Sequence, residues 1–188
     1  MLLQVVSTQC SSSVCGLRAP TLSGPRVING QNAAEGDWPW QVLVSGPATT
    51  CAGTLISDSH VITAAHCFAY DDVTNIIKTF CCISCESLFC SNSNSPLDYL
   101  LQLGSIYRSE PDINRETATI RTITLHPDYQ TFYYGNDLAL LTLDLPVTFT
   151  NYVRPICLHH IDDVVPLSST CYSTGWGLTQ YERINNIK

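Results

Sequence analysis

The chain has 188 residues and a formal net charge of −7 at pH 7, and 45% of its residues are hydrophobic. This length allows a single domain with a substantial core, and all-β barrel proteins commonly reach about 200–250 residues. The acidic balance and the lack of any cluster of lysine or arginine argue against a nucleic-acid-binding surface. No apolar run approaches the roughly 20 residues of a transmembrane helix.

The ten cysteines indicate an oxidising compartment, because cytosolic thiols are kept reduced. Residues 1–6 have no basic start and too short an apolar core for a signal peptide. The expectation of a secreted, extracellular protein therefore rests on the cysteines and on a family resemblance described below.

The first 26 residues are rich in serine, proline and glycine and show no periodicity, which predicts a flexible leader. It contains Cys10 and Cys15 and ends at Arg26. Short alternating runs follow, and they predict β-strands at 41–45, 50–57 and 60–63.

A histidine stands at the end of the third of these strands, in the sequence Val-Ile-Thr-Ala-Ala-His-Cys of residues 61–67. Two alanines permit a sharp turn, and a bonded Cys67 would hold His66 in place as a general base. Cys51 lies on the preceding short strand, so a turn between the strands would bring the two sulfurs within bonding range, which predicts a Cys51–Cys67 disulfide. The alternative is a buried core histidine beside a structural cysteine.

The pattern breaks after this motif, and residues 70–99 form a long connection without clear elements, predicted to be an atypical insertion. Its cysteines raise a metal hypothesis, since Cys82 and Cys85 have ligand spacing and two further cysteines are near. No second such pair and no nearby histidine support it, so we expect no metal site. An aberrant insertion, such as a mis-joined exon, is favoured over a disulfide loop. The four cysteines are Cys81, Cys82, Cys85 and Cys90.

Regular structure resumes at residue 100, and the alternating run 117–125 predicts a half-buried strand. Asp137 then stands directly before a solid apolar strand, where a carboxylate loses hydration unless something compensates. One interpretation makes it a loop cap that accepts backbone N–H groups. The other makes it a buried acid that accepts a hydrogen bond from Nδ1–H of His66.

The histidine motif, with Cys-Ala-Gly-Thr-Leu-Ile-Ser at 51–57, and the sequence Asn-Asp-Leu-Ala-Leu at 136–140 occur in that order. Together they resemble the histidine and aspartate motifs of the chymotrypsin-like (trypsin-fold) serine endopeptidases. The resemblance implies an all-β fold with a six-stranded antiparallel first barrel. It also implies that His66 acts as general base and then general acid while Asp137 orients it.

The resemblance implies further features. Cleavage between Arg26 and Val27 would activate a zymogen, and Cys15 would pair with Cys157 to tether the cleaved leader. No cofactor or metal is expected. The implied organisation is a leader at 1–26 and a partial peptidase domain at 27–188, with the first barrel at 27–147, an inter-barrel link at 148–170 and the start of a second barrel at 171–188.

No Gly-Asp-Ser-Gly and no Gly-x-Ser-x-Gly sequence occurs in the 188 residues. The expectation is a protease sequence truncated before its serine nucleophile, oxyanion hole and specificity pocket, and hence inactive. In the intact parent, proteins or peptides would be the substrates. Cys171 is expected to lack a partner. The alternative function is a non-catalytic binding or decoy module derived from such a protease.

Overall fold

A computed structural model describes residues 3–4, 15–18, 32–47, 49–68, 95–131, 133–160, 162–164 and 166–177. Almost all of the regular structure is β, with two short 3-10 helices at Ala65–Cys67 and Pro96–Asp98. The strands are β1 (Leu3–Gln4), β2 (Gln41–Ser45), β3 (Thr50–Leu55), β4 (His60–Thr63), β5 (Leu100–Leu103), β6 (Glu116–Leu125), β7 (Ala139–Leu143) and β8 (Tyr172–Ser173).

Six of these strands form a closed barrel in the order β2-β3-β4-β7-β6-β5, and β5 returns to pair with β2. Every neighbouring pair is antiparallel. This confirms the prediction of an all-β fold with a six-stranded antiparallel barrel. Because the barrel is closed, none of these strands presents an unpaired edge.

Buried side chains of all six strands fill the barrel interior. In β4, β5 and β7 they alternate with less buried ones, since successive residues of a strand point to opposite sides. Each fully buried aliphatic side chain contributes about 1.5–3 kcal/mol relative to an exposed one. The largest aromatic of the core is Trp40, which is completely buried and directly precedes β2. The other large, fully buried side chains include Val42, Leu55, Val61, Leu101, Leu103, Ile120, Leu141 and Leu143.

Strand β6 departs from the strict alternation expected for it. The less exposed residues in its first half are Glu116, Ala118 and Ile120. In its second half the less exposed residue is Ile123. The register with β7 shifts between Ile120 and Thr122, so Arg121 is an extra residue in a β-bulge. The bulge reverses the inward phase of the strand from even to odd positions. Ile120 is the one fully buried residue of this strand, and the half-buried pattern extends from Glu116 to Ile123 but not to the last two residues.

The last part of the expected insertion belongs to the barrel. Ser95 caps the 3-10 helix Pro96–Asp98, its side chain accepting a hydrogen bond from the Leu97 amide. Tyr99 is 2% exposed, and its ring lies 4.8 Å from that of Phe68. The residues from Ser95 to Tyr99 therefore pack with the barrel although they precede β5. Most of the expected insertion, including Cys81, Cys82, Cys85 and Cys90, lies outside the described residues.

A second, two-stranded sheet joins the beginning and the end of the chain, because Leu3–Gln4 pairs antiparallel with Tyr172–Ser173. The leader therefore contains a strand that its composition did not predict. None of the helices in the described ranges is long and apolar enough to cross a membrane.

Cys171 has an exposed, free thiol within the part of the chain that the structure describes. Exposed thiols of proteins in oxidising compartments tend to pair between molecules. We therefore expect purified protein to form dimers that a reductant separates, and the change Cys171→Ser to remove most of them. Non-reducing electrophoresis measures the dimer fraction, with iodoacetamide-blocked wild-type protein as the control. Dimers that persist undiminished in Cys171→Ser would assign the cross-link to another cysteine.

Candidate active site

Strand β4 and the turn after it position His66. Thr63, at the end of β4, is completely buried, and its hydroxyl donates a hydrogen bond of 2.9 Å to the carbonyl of Ala52 on β3. The chain then enters the 3-10 helix Ala65–Cys67, in which Ala65 and Cys67 point into the core. Since its two neighbours are buried, His66 is turned outward, and its side chain is 44% exposed.

The disulfide between Cys51 and Cys67 holds this turn against β3. Their Cα atoms are 6.3 Å apart, within the usual span of a disulfide. The carbonyl of Cys67 also accepts hydrogen bonds from the hydroxyls of Thr49, at 3.4 Å, and Tyr99, at 3.5 Å. Tyr99 was not predicted to support the turn, because it lies in the segment expected to be an insertion. Closing a loop of this size stabilises the fold by about 3 kcal/mol in the chain-entropy account.

A tight turn before β7 positions Asp137. Gly135 and Asn136 both have positive φ, at 83° and 54°, which glycine and asparagine tolerate best. The amide of Leu138 donates to the carbonyl of Asn136 at 2.8 Å, and β7 starts at the next residue. Because β7 pairs with β4, with Ala139 opposite Thr63, this turn lies beside the one that carries His66.

The two side chains meet although 71 positions separate them in the chain. Asp137 Oδ2 lies 2.6 Å from His66 Nδ1, and its Oδ1 accepts a hydrogen bond of 2.8 Å from the His66 backbone amide. The carboxylate therefore caps the backbone and orients the ring at once, so the two interpretations of Asp137 describe the same geometry. It is 26% exposed rather than fully buried, because it stands at the barrel rim.

This geometry determines which ring nitrogen of His66 is available to accept a proton. An ionised carboxylate can only accept hydrogen bonds, so Nδ1 carries the proton that it donates to Asp137. In the neutral ring Nε2 then has a lone pair and can accept a proton. A second bond to the backbone fixes the carboxylate, so that the ring and its partner form one rigid unit. The arrangement suits a general base whose tautomer is set by an acid.

Comparison with known proteins gives this arrangement its context. The family model described as Trypsin matches residues 27–81 and 90–187. The chain belongs to the trypsin family. A relative, the "Suppressor of tumorigenicity 14 protein homolog" of Bos taurus, is 34% identical over 168 residues, which are 88% of this chain and 18% of that protein. The chain thus spans less than a fifth of the length of this curated relative.

The match to the trypsin family begins at Val27, the residue after Arg26, and between there and residue 187 it omits residues 82–89. That omitted stretch lies inside the expected insertion and is shorter than it. The expected cleavage junction Arg26–Val27 lies outside the described residues, as does Cys10.

In this trypsin-family chain, the segment of residues 15–18 is joined to the segment after β7 by a disulfide between Cys15 and Cys157, whose Cα atoms are 5.0 Å apart. The amide of Gly16 donates a hydrogen bond of 2.9 Å to the carbonyl of Pro155 beside it. The structure thus contains both disulfides expected from the sequence, which agrees with an oxidising compartment.

Cys51, His66 and Cys67 place three possible metal-ligand atoms within 4.8 Å of one another. Both sulfurs belong to the disulfide, however, and a metal ion binds thiolates. The trio therefore offers a metal only the histidine ring. The other cysteines considered for a metal lie outside the described residues.

The pKa of Asp137 lies below its ordinary value. Partial burial acts to raise it, but the hydrogen bond from the His66 ring, those from the His66 and Ala65 amides, and the charge of a protonated ring together outweigh burial. Since the folded state lowers the pKa, the ionised carboxylate stabilises the fold above the unfolded-state pKa of about 3.9. This stabilisation is lost as the pH falls through the folded-state value.

We therefore expect the free energy of unfolding to decrease below about pH 4, and Asp137→Asn to remove the part of that decrease that this carboxyl causes. His66→Ala should remove only some of it, because the backbone amides of His66 and Ala65 still donate to the carboxylate. Urea unfolding between pH 2.5 and 7 measures the effect. Equal pH dependence in wild type and Asp137→Asn would contradict the assigned stabilisation.

Proposed function

We propose that this chain supplies the histidine and the aspartate of a trypsin-like serine endopeptidase, which hydrolyses peptide bonds in proteins or peptides. His66 Nε2 accepts the proton of a serine nucleophile and later gives it to the leaving amine. Asp137 holds the ring in the required tautomer and stabilises the imidazolium that forms. The observation that carries the proposal is the double contact of Asp137 with the ring and the backbone of His66.

The nucleophile is not among these residues. Within the 188 residues no serine stands in a Gly-x-Ser-x-Gly setting. The Ser105 hydroxyl, which follows Gly104, instead donates to the carbonyl of Tyr107 at 3.2 Å and accepts from its amide at 3.1 Å, as in a turn. The 188-residue polypeptide alone is therefore proposed to be inactive, and a second barrel that bears the serine is required for hydrolysis.

The proposed working context is extracellular, with activation by cleavage after Arg26. Two disulfides support an oxidising compartment, and the basic residue directly precedes the stretch that matches the trypsin family. Cleavage would free the amine of Val27, while the Cys15–Cys157 disulfide would keep the leader attached. The cleavage preference of the active enzyme would be set by the pocket of the second barrel.

The experiment joins residues 1–177 to the second barrel of a trypsin-family relative and compares the chimera with the 188-residue chain. The substrate is the peptide amide that suits the donor's pocket. We expect hydrolysis by the chimera only after cleavage at Arg26–Val27, and none by the 188-residue chain or by an uncleavable Arg26→Gln chimera. A chimera with correctly mapped disulfides and a cleaved junction that hydrolyses no substrate would overturn the proposal.

A further inference from the structure

The leader contacts the body of the protein through an arginine as well as a cysteine. The guanidinium carbon of Arg18 lies 3.8 Å from the ring centroid of Trp38 and 5.4 Å from that of Tyr172. The two rings are themselves in contact, with centroids 5.3 Å apart and planes tilted by 50°. Three parts of the chain that are distant in sequence therefore meet at one aromatic pair.

Contacts with other residues hold both rings in place independently of Arg18. Trp38 packs edge-on against the buried Trp40, with centroids 6.1 Å apart. The segment of Tyr172 is fixed to the barrel by two hydrogen bonds, from the Thr174 hydroxyl to Gln41 at 2.6 Å and from the Trp176 indole to the Ile106 carbonyl at 2.8 Å. A preorganised ring pair binds a cation without the cost of ordering its own side chains.

The chemistry of the ring pair suits a guanidinium. Arginine keeps its charge throughout the physiological pH range, and its planar group stacks on aromatic faces. Among the described residues no carboxylate forms an ion pair with Arg18. The aromatic faces are thus the contact that the structure provides for this charge.

We propose that the faces of Trp38 and Tyr172 form a binding site for an arginine guanidinium, and that Arg18 of the leader occupies it. This contact holds the leader on the body of the protein independently of the Cys15–Cys157 disulfide. Nothing in the proposal depends on the roles of His66 and Asp137.

The test uses the full chain with Cys15→Ser and Cys157→Ser, so that only noncovalent contacts retain the leader. Hydrogen exchange at the Gly16 amide, which is bonded to the Pro155 carbonyl, reports when the leader opens. We expect Arg18→Ala to accelerate this exchange about 5-fold, as for a cation–π contact at an exposed site, and Arg18→Lys to accelerate it less. Arg121→Ala is the control, since Arg121 contacts Asp144 instead.

A double-mutant cycle identifies the partner of Arg18. In a Trp38→Leu background, Arg18→Ala should cause no further acceleration, because the main ring contact is already absent. If Trp38→Leu prevents folding, Tyr172→Leu replaces it, since Tyr172 lies outside the barrel, and it should reduce the effect of Arg18→Ala. Equal exchange in the parent and Arg18→Ala proteins would overturn the proposal. It would also be overturned if Arg18→Ala accelerated exchange by the same factor whether or not the ring of Trp38 or Tyr172 is present.

Discussion

Asp137→Asn in the chimera that carries a serine-bearing second barrel is expected to lower kcat by about 10⁴, the loss that this change causes in the serine protease that serves as the general example of a Ser-His-Asp triad. An asparagine amide can donate a hydrogen bond to Nδ1, which favours the ring tautomer with the proton on Nε2. In that tautomer Nε2 cannot accept the proton of the nucleophile. KM should change little, because neither group binds the substrate in the ground state.

His66→Ala should lower kcat by about 10⁶ relative to the parent chimera, which is more than Asp137→Asn does, since removal of the base leaves the nucleophile protonated. The two losses should not add in the double variant, because the side chains act as one unit. Asp144→Asn is the control for loss of an aspartate charge: Asp144 is more exposed than Asp137, lies 3.8 Å from an arginine nitrogen and directly follows the other end of β7. Steady-state kinetics on chimeras with equal melting temperatures measure the effect. An Asp137→Asn chimera as active as its parent would exclude the proposed role of Asp137.

Gly104→Ala is expected to lower the free energy of unfolding by about 3 kcal/mol, as the sum of two costs. Gly104 has φ of +76°, a conformation that strains any residue with a Cβ. An added Cβ would also overlap the backbone carbonyl oxygen of Asn114 and lie 3.0 Å from Cγ2 of the buried Val153. For a protein of this size the melting temperature should fall by roughly 10 °C.

Gly135→Ala separates the two costs. Gly135 has a similar φ of +83°, but an added Cβ would meet no atom within 4 Å. Only the backbone strain remains, so the expected loss is about 1 kcal/mol, part of which the lower entropy of the unfolded chain offsets. Calorimetry of both variants measures the difference. Equal losses would show that the carbonyl of Asn114 moves away at no cost.

The barrel strands next to His66 could be predicted closely because their sequence patterns are local. Apolar runs bounded by glycine, proline and aspartate predicted β2 and β4 with the bounds that the structure shows. Strand β6 was harder, since Ile120 and Ile123 are three residues apart and no single face holds both. A β-bulge resolves that conflict, and alternation alone does not place it.

The sequence alone was enough to predict which two residues form the site. The histidine and aspartate motifs indicated His66 and Asp137, in that order, through their resemblance to a known family. The residues taken by themselves left a core histidine and a loop cap as alternatives. Local patterns carry this information because each motif encodes its own turn. The pattern of Gly135 and Asn136 likewise favours the positive φ values that aim Asp137.

Only the tertiary structure decided which distant groups share a contact. The second bond of Asp137, to the backbone of His66, follows from the pairing of β4 with β7, and partial exposure follows from the position of both residues at the barrel rim. The same holds for Arg18, Trp38 and Tyr172, which no motif connects. Contacts across such separations depend on barrel closure and on the course of the leader, and neither leaves a periodic signal in the sequence.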